Sequence, residues 1–171
     1  MDAGEYEKLS QWWRKRPKAT SALLAVNRVL TGVGWVAYPL LIVLLALFQP
    51  AYLPRMVLVP LAGFVLVTVM RVAVDEKRPY EALDICPLIA KDKRGESFPS
   101  RHCFSMTMIA LSWLVVCPPA GVLLLVASVV MAYVRVVGGV HFPHDVVVGM
   151  AIAAAFAVIG FWGLSPLWPA M

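Results

Sequence analysis

An all-α bundle embedded in a membrane is the fold class this sequence predicts, and three observations predict it. Of 171 residues, 61% are hydrophobic, and the mean hydropathy is +0.79, well above the roughly 45–50% apolar content of an ordinary soluble domain. The apolar residues fall into several runs divided by polar breaks, not into one run beside a polar domain. Most of the charge lies in two stretches, residues 2–18 and 71–102, that border those runs. Together they imply a single multi-pass domain. The formal net charge of +5 then suits anionic lipid and gives no reason to expect a nucleic-acid partner.

The elements follow in order. Residues 2–16 place Tyr6, Leu9 and Trp13 at helical spacing, with Trp12 beside them and Arg14, Lys15 and Arg16 following; this reads as an interfacial amphipathic helix, the alternative being a frayed basic terminus. No cleavable signal peptide is expected, because the first eighteen residues mix both charge signs. From 19 to 48 the chain is apolar apart from Asn27 and Arg28, longer than the ~20 residues a span needs, which puts the span at 29–48. A second span is expected at 56–73, ending on Arg71, and an extramembrane loop at 74–101 with prolines at 79, 87 and 99. Segments 103–117 and 120–137 read as a helical hairpin joined by Cys117-Pro118-Pro119-Ala120, and 145–163, rich in small residues, as the last span.

The expectation is thus about five transmembrane helices plus the amino-terminal helix, divided into an interfacial segment at 1–28 and a membrane-embedded domain at 29–171. Following the passes puts the amino terminus, the 71–102 loop and the 135–145 turn on one face. All Lys and Arg residues except Arg55 gather there, so the positive-inside rule assigns that face to the cytoplasmic side of a cell membrane. Cys86, Cys103 and Cys117 form no CxxC pair and read as structural.

Three clusters stand at ends of apolar runs: Arg71 with Arg78-Pro79, then Ser97-Phe98-Pro99-Ser100-Arg101-His102, then Arg135 with His141 and Asp145. A phosphoryl group in transfer spreads charge over three oxygens, and guanidinium groups match them with bidentate hydrogen bonds. Ser100 and the backbone N–H groups beside it can cap the next helix and hold phosphate at its positive end. In-line displacement needs a nucleophile and, opposite it, an acid for the leaving oxygen; His141 and His102 come from different helices and fit those roles. Asp145, four residues after His141, is near enough to accept from one ring nitrogen and leave the other free to attack.

The pattern resembles the type 2 phosphatidic acid phosphatase family, of the superfamily that includes lipid phosphate phosphatases, bacterial acid phosphatases and vanadium haloperoxidases. Its motifs, Lys-x6-Arg-Pro, Pro-Ser-Gly-His and Ser-Arg-x5-His-x3-Asp, are matched in spacing by Arg71-x6-Arg78-Pro79, Pro99-Ser100-Arg101-His102 and Arg135-x5-His141-x3-Asp145. The resemblance implies that His141 forms a phosphohistidine, that Asp145 orients it, and that His102 protonates the leaving group. It implies that Arg71, Arg78, Ser100 and Arg135 bind phosphate, with no metal and no cofactor; nor does the sequence show a His/Cys/carboxylate set at ligand spacing. Arg71 stands in place of the family's lysine, Arg101 of its glycine and Val134 of its serine. Arg101 is read as a further phosphate contact, reaching a second phosphate and so favouring a diphosphate. His144 reads as a helix-start residue or a leaving-group contact.

The function expected is a metal-independent hydrolase of a lipid phosphate or diphosphate. Phosphatidic acid, phosphatidylglycerol phosphate and undecaprenyl diphosphate all fit the charge pattern, and an isoprenoid diphosphate is favoured. The alternatives are a lipid phosphotransferase and a catalytically silent binder of anionic lipid, though binding alone would need the arginines and not His102, His141 and Asp145.

Overall fold

The computed structural model describes residues 1–163; the 164–171 end of the expected second segment lies outside them. The order is α1 (Ala3–Arg14), α2 (Pro17–Phe48), a single tight turn (Pro50–Tyr52), α3 (Leu53–Val74), the short α4 (Pro79–Ala82), α5 (Arg101–Val116), α6 (Pro118–Val137) and α7 (Pro143–Ala157), which runs on as a wide π-helical turn, Val158–Gly163. The described residues contain helix and no strand. A helical bundle is the only way besides a closed barrel to satisfy every backbone group inside hydrocarbon.

Local chemistry sets the boundaries. Asp2 accepts from the Glu5 amide at 2.8 Å while Glu5 accepts from the Asp2 amide at 2.8 Å, a reciprocal cap that starts α1. Pro17, Pro118 and Pro143 occupy the first turns of α2, α6 and α7, where a missing N–H costs nothing. For that reason α6 begins at Pro118, inside the expected connection, and leaves Cys117 alone to turn the hairpin. At the other end of α3, Asp75 takes a left-handed conformation (φ 43°) and stops the helix.

The α2 helix runs unbroken from Pro17 to Phe48, across the 28/29 boundary, and at 1.5 Å per residue its 32 residues are about 48 Å long. Among the described residues, four apolar stretches are long enough to cross a membrane: Pro17–Phe48, Pro50–Ala82, Pro118–Val137 and Pro143–Gly163. The fifth apolar helix, α5, has only 16 residues. It is instead the bundle's central post, with Cys103, Phe104, Met106, Met108, Ile109 and Ala110 all buried. Large apolar side chains elsewhere point outward, Trp35, Leu47, Phe48, Val72 and Leu123 among them, as in a protein whose solvent is lipid.

Inside, Leu41, Leu45, Met56, Val67, Phe104 and Phe161 form the main core. A second cluster, Leu23, Ile89, Val134, Val137 and Val140, binds the 83–100 connection to the ends of α2 and α6. On this end α1 also packs. Tyr6 is fully buried, its hydroxyl accepts from the Leu88 amide at 3.3 Å, and the Arg14 guanidinium donates to Cys86 O. Gly139 makes that seat possible: its φ is +74°, and an added Cβ would lie 2.7 Å from the Tyr6 oxygen. So α1, the long connection and the 138–142 turn lie against one another. The cysteines are free, with Cys103 buried and Cys86 exposed.

Candidate active site

The site begins with how the 95–100 segment is laid down. Ser97 N donates to Glu76 O at 2.8 Å and Glu96 N to Asp75 Oδ1 at 3.1 Å. Glu81 Oε2 accepts from both the Arg78 and the Gly95 amides, at 3.0 and 2.8 Å. Arg71 Nη1 donates to Pro99 O at 2.8 Å and Ser97 O at 3.3 Å, and Arg78 donates to Gly95 O, Val140 O and Glu96 O. The segment is thereby pinned to the ends of α3 and α4.

That pinning brings two helix starts together. Ser100 N, opening α5, donates to Asp145 O in the first turn of α7 at 2.9 Å. Gly149 permits the approach, since a Cβ there would stand 2.6 Å from Ser100 O. The positive ends of two helices therefore meet at one point, which favours a bound anion.

Around that point stand the residues the sequence singled out. His141 and Asp145 are buried, and His141 Nδ1 lies 3.2 Å from Asp145 Oδ2. The same oxygen accepts from Phe142 N at 2.9 Å and from the Ser97 hydroxyl at 2.5 Å. An acceptor so saturated with donors holds its charge and fixes the ring: Nδ1 carries the proton and Nε2 the lone pair. Burial pushes the His141 pKa down to about 4, partly offset by the bond to Asp145, so the imidazole is neutral at pH 7. Arg71, Arg78 and Arg135 are all buried, and Nε of both Arg71 and Arg135 has no hydrogen-bond partner. His102 feels the positive charges of Arg135, Lys91 and Arg101.

Two expected details are corrected. Ser100 does not cap α5 with its side chain; its Oγ is buried with the weakly bonding Cys103 thiol beside it and no strong partner. And although the sequence shows no metal-ligand spacing, the fold assembles Glu76, His144 and Asp145 with one possible ligand atom each within 4.8 Å of one another. Those atoms are engaged with each other: His144 Nε2 lies 2.9 Å from Glu76 Oε1 and 3.0 Å from Asp145 Oδ1, while its ring stacks on Phe142. His144 thus pairs with Glu76 beside Asp145, whose Oδ1 has no hydrogen-bond partner among the described residues.

Arg101 is the first residue of α5. Its guanidinium sits over the Phe64 ring at 5.7 Å and, with His102, borders an apolar cleft of about 650 Å³ between α2, α3 and α5. Ser97 and Glu76 join the site through contacts to Asp145 and His144, 48 and 68 positions away, which leave no local spacing to read in the sequence.

Buried guanidinium groups, a neutral imidazole paired to a carboxylate and a second histidine are thus gathered at one end of an apolar helical bundle. The chain belongs to the PAP2 superfamily, whose model matches residues 52–168. Among solved structures it is similar to LpxE of Aquifex aeolicus, at 23% identity with a TM-score of 0.73 over 94% of each chain, a likeness of fold. No curated protein matches.

Proposed function

We propose that this protein hydrolyses the phosphate or diphosphate of a membrane lipid through a phosphohistidine on His141. The observation that carries the reading is the 3.2 Å pairing of His141 Nδ1 with Asp145, which leaves Nε2 as a neutral nucleophile among Arg71, Arg78, Arg135 and Ser100. In the first step Nε2 attacks phosphorus, the bond from phosphorus to the leaving oxygen breaks, and His102 gives that oxygen a proton. In the second step water attacks phosphorus, His102 takes a proton from it, the P–N bond breaks and phosphate leaves. The arginines hold the equatorial oxygens throughout, so no metal is required.

The apolar cleft supports a lipid substrate. Tyr38, Phe64, Met106 and Met131 line it, and His102 and Arg101 stand on its wall, so a chain held there keeps its headgroup at the histidines while remaining in the bilayer. Methionines give such a wall an adaptable shape. Arg101 at the same place favours a diphosphate, with its guanidinium on the phosphate nearer the chain; an isoprenoid diphosphate such as undecaprenyl diphosphate fits best, ahead of phosphatidic acid and phosphatidylglycerol phosphate. Arg101→Gly should erase the preference for the diphosphate. By its charge bias the site faces the cytoplasm, on the side of the amino-terminal interfacial segment.

The test is phosphate release by detergent-purified protein from those three lipids with EDTA present, beside His141→Ala. Release that survives EDTA and needs His141 is the expected result. Release only to an added lipid acceptor would make the protein a phosphotransferase, and binding without turnover would make it a docking protein for anionic headgroups.

A further inference from the structure

The apolar cleft has two unlike ends. Arg101 and His102 border it where α5 begins. From there it follows α2 past Leu30 and Gly34 to Tyr38, α3 back from Phe64 to Val57, and α5 as far as Ile109. At 1.5 Å per residue, the run from Arg101 to Ile109 makes it about 12 Å long.

The far end is tied. Pro60 has no N–H to give Met56 O four residues earlier, and Tyr38 of α2 supplies the missing donor, its hydroxyl 2.9 Å from that carbonyl. One residue before Tyr38, Ala37 O accepts from Trp113 Nε1 of α5, also at 2.9 Å. So α2 is bonded to both of its neighbours at one level, and in hydrocarbon no water replaces such a bond once broken.

Between the two ends stands a glycine that packing does not demand. A Cβ on Gly63 would lie 2.8 Å from Phe104, on Gly121 2.3 Å from Leu114, and on Gly160 2.4 Å from Val59, so those three serve close helix packing. A Cβ on Gly34 would meet Met106 Sδ at 3.6 Å and Ile109 Cδ1 at 3.8 Å, ordinary contact. Although glycine weakens a helix interior, Gly34 leaves the middle of the cleft open. A side chain much larger than a methyl would stand inside it.

We infer that the cleft is a slot of fixed depth for the substrate's hydrocarbon, closed by the Tyr38–Met56 and Trp113–Ala37 bonds, and that Gly34 is its specificity-determining residue. An extended chain advances about 1.2 Å per bond, so about ten carbons reach the tied end. The inference rests on the lipid-phosphate reading above, and its test separates seating of the chain from turnover.

Detergent-purified full-length protein, as wild type, Gly34→Ala and Gly34→Leu, is assayed on butyl phosphate and decyl phosphate, with thermal unfolding recorded for each. A butyl chain ends short of Gly34 and a decyl chain passes it. Gly34→Leu should lower the decyl-to-butyl ratio of kcat/KM about ten- to a hundredfold, the usual size of an overpacking effect. Gly34→Ala should lower it less and unfold at the same temperature or higher. Seating is read by photolysis of decyl phosphate carrying a diazirine on its last carbon. The label should fall on 34–38, 57–61 or 106–109 in wild type and leave those stretches in Gly34→Leu; if Gly34→Leu does not fold, the wild-type label decides.

Label elsewhere in wild type, the same label in folded Gly34→Leu, or an unchanged decyl-to-butyl ratio would each overturn the inference. Label in the slot without phosphate release from any ester would uphold it and sink the hydrolase reading. Phosphate release with the label elsewhere would do the reverse.

Discussion

The two ends of α3 each bury an arginine, and they do different things with it. At the first end Arg55 donates from Nε to Gly160 O at 3.4 Å and lies 5.9 Å from the centre of the Phe161 ring, with Nη2 buried and unpartnered. At the far end Arg71 braces two carbonyls, sits 3.7 Å from Glu96 and keeps Nε unpartnered toward the site. Burial of a guanidinium in a membrane helix is therefore no mark of function by itself. What separates the ends is convergence: only Arg71 has histidines, further arginines and two helix starts arranged around it.

The largest effect that should separate the two ends is loss of the nucleophile. His141→Ala should bring phosphate release down to the level of a protein-free blank, while the anion still binds; retained turnover would mean that convergence had been misread. His102→Ala should follow, with kcat lowered about 10²–10⁴-fold, the usual worth of a positioned acid and base, and with the deficit smaller on substrates whose leaving group needs no proton.

Ser97→Ala should cost less, about tenfold in kcat, because Asp145 Oδ2 keeps its bonds from Phe142 and His141 and loses a contact worth about 1–2 kcal/mol. If Ser97→Ala matched His141→Ala, the hydroxyl would have a direct part in the chemistry. The pH profile gives a smaller but sharper signature. With the His141 pKa lowered to about 4, the ring stays neutral as pH falls through the ordinary value of 6.5, and activity should decline only as pH approaches 4. Over the same window the unfolded chain takes up a proton that the folded site refuses, so thermal stability should fall as pH drops from 6.5 toward 4. An acid limb centred near 6.5 would show that His141 is not the group in its ground state.

The smallest effect belongs to Arg55. Arg55→Met removes a buried charge with one long hydrogen bond and fills similar volume. Turnover should be unchanged, and the unfolding midpoint unchanged or higher, because replacing such a charge by an apolar group is often neutral or stabilising. A loss of activity would join the two ends of α3 into one functional unit.

Much of this was legible in the sequence because it is written locally. Apolar runs of spanning length, prolines at helix starts, and the short spacing of Arg135, His141 and Asp145 across one turn are all readable within a few tens of residues. Helix edges were less legible: α2 begins at Pro17, well before the expected span, because the Asn27-Arg28 pair interrupts hydropathy without interrupting the helix. The place of Arg101 was not legible at all. As the first residue of α5 it sets its guanidinium over the Phe64 ring of α3, a contact between distant parts of the chain that no local spacing announces.

By itself, then, the sequence determined the class of fold, the membrane as its solvent, and the residue types that meet phosphate, since hydropathy and short-range spacing do not depend on how the chain closes. Only the tertiary structure decided that Ser97 shares Asp145 with His141 and that His144 pairs with Glu76 across 68 positions. Those contacts depend on where the 75–100 connection comes to rest. Its course is set by backbone hydrogen bonds to Glu76, Gly138 and Asp145, which any sequence can form and which no side-chain pattern announces.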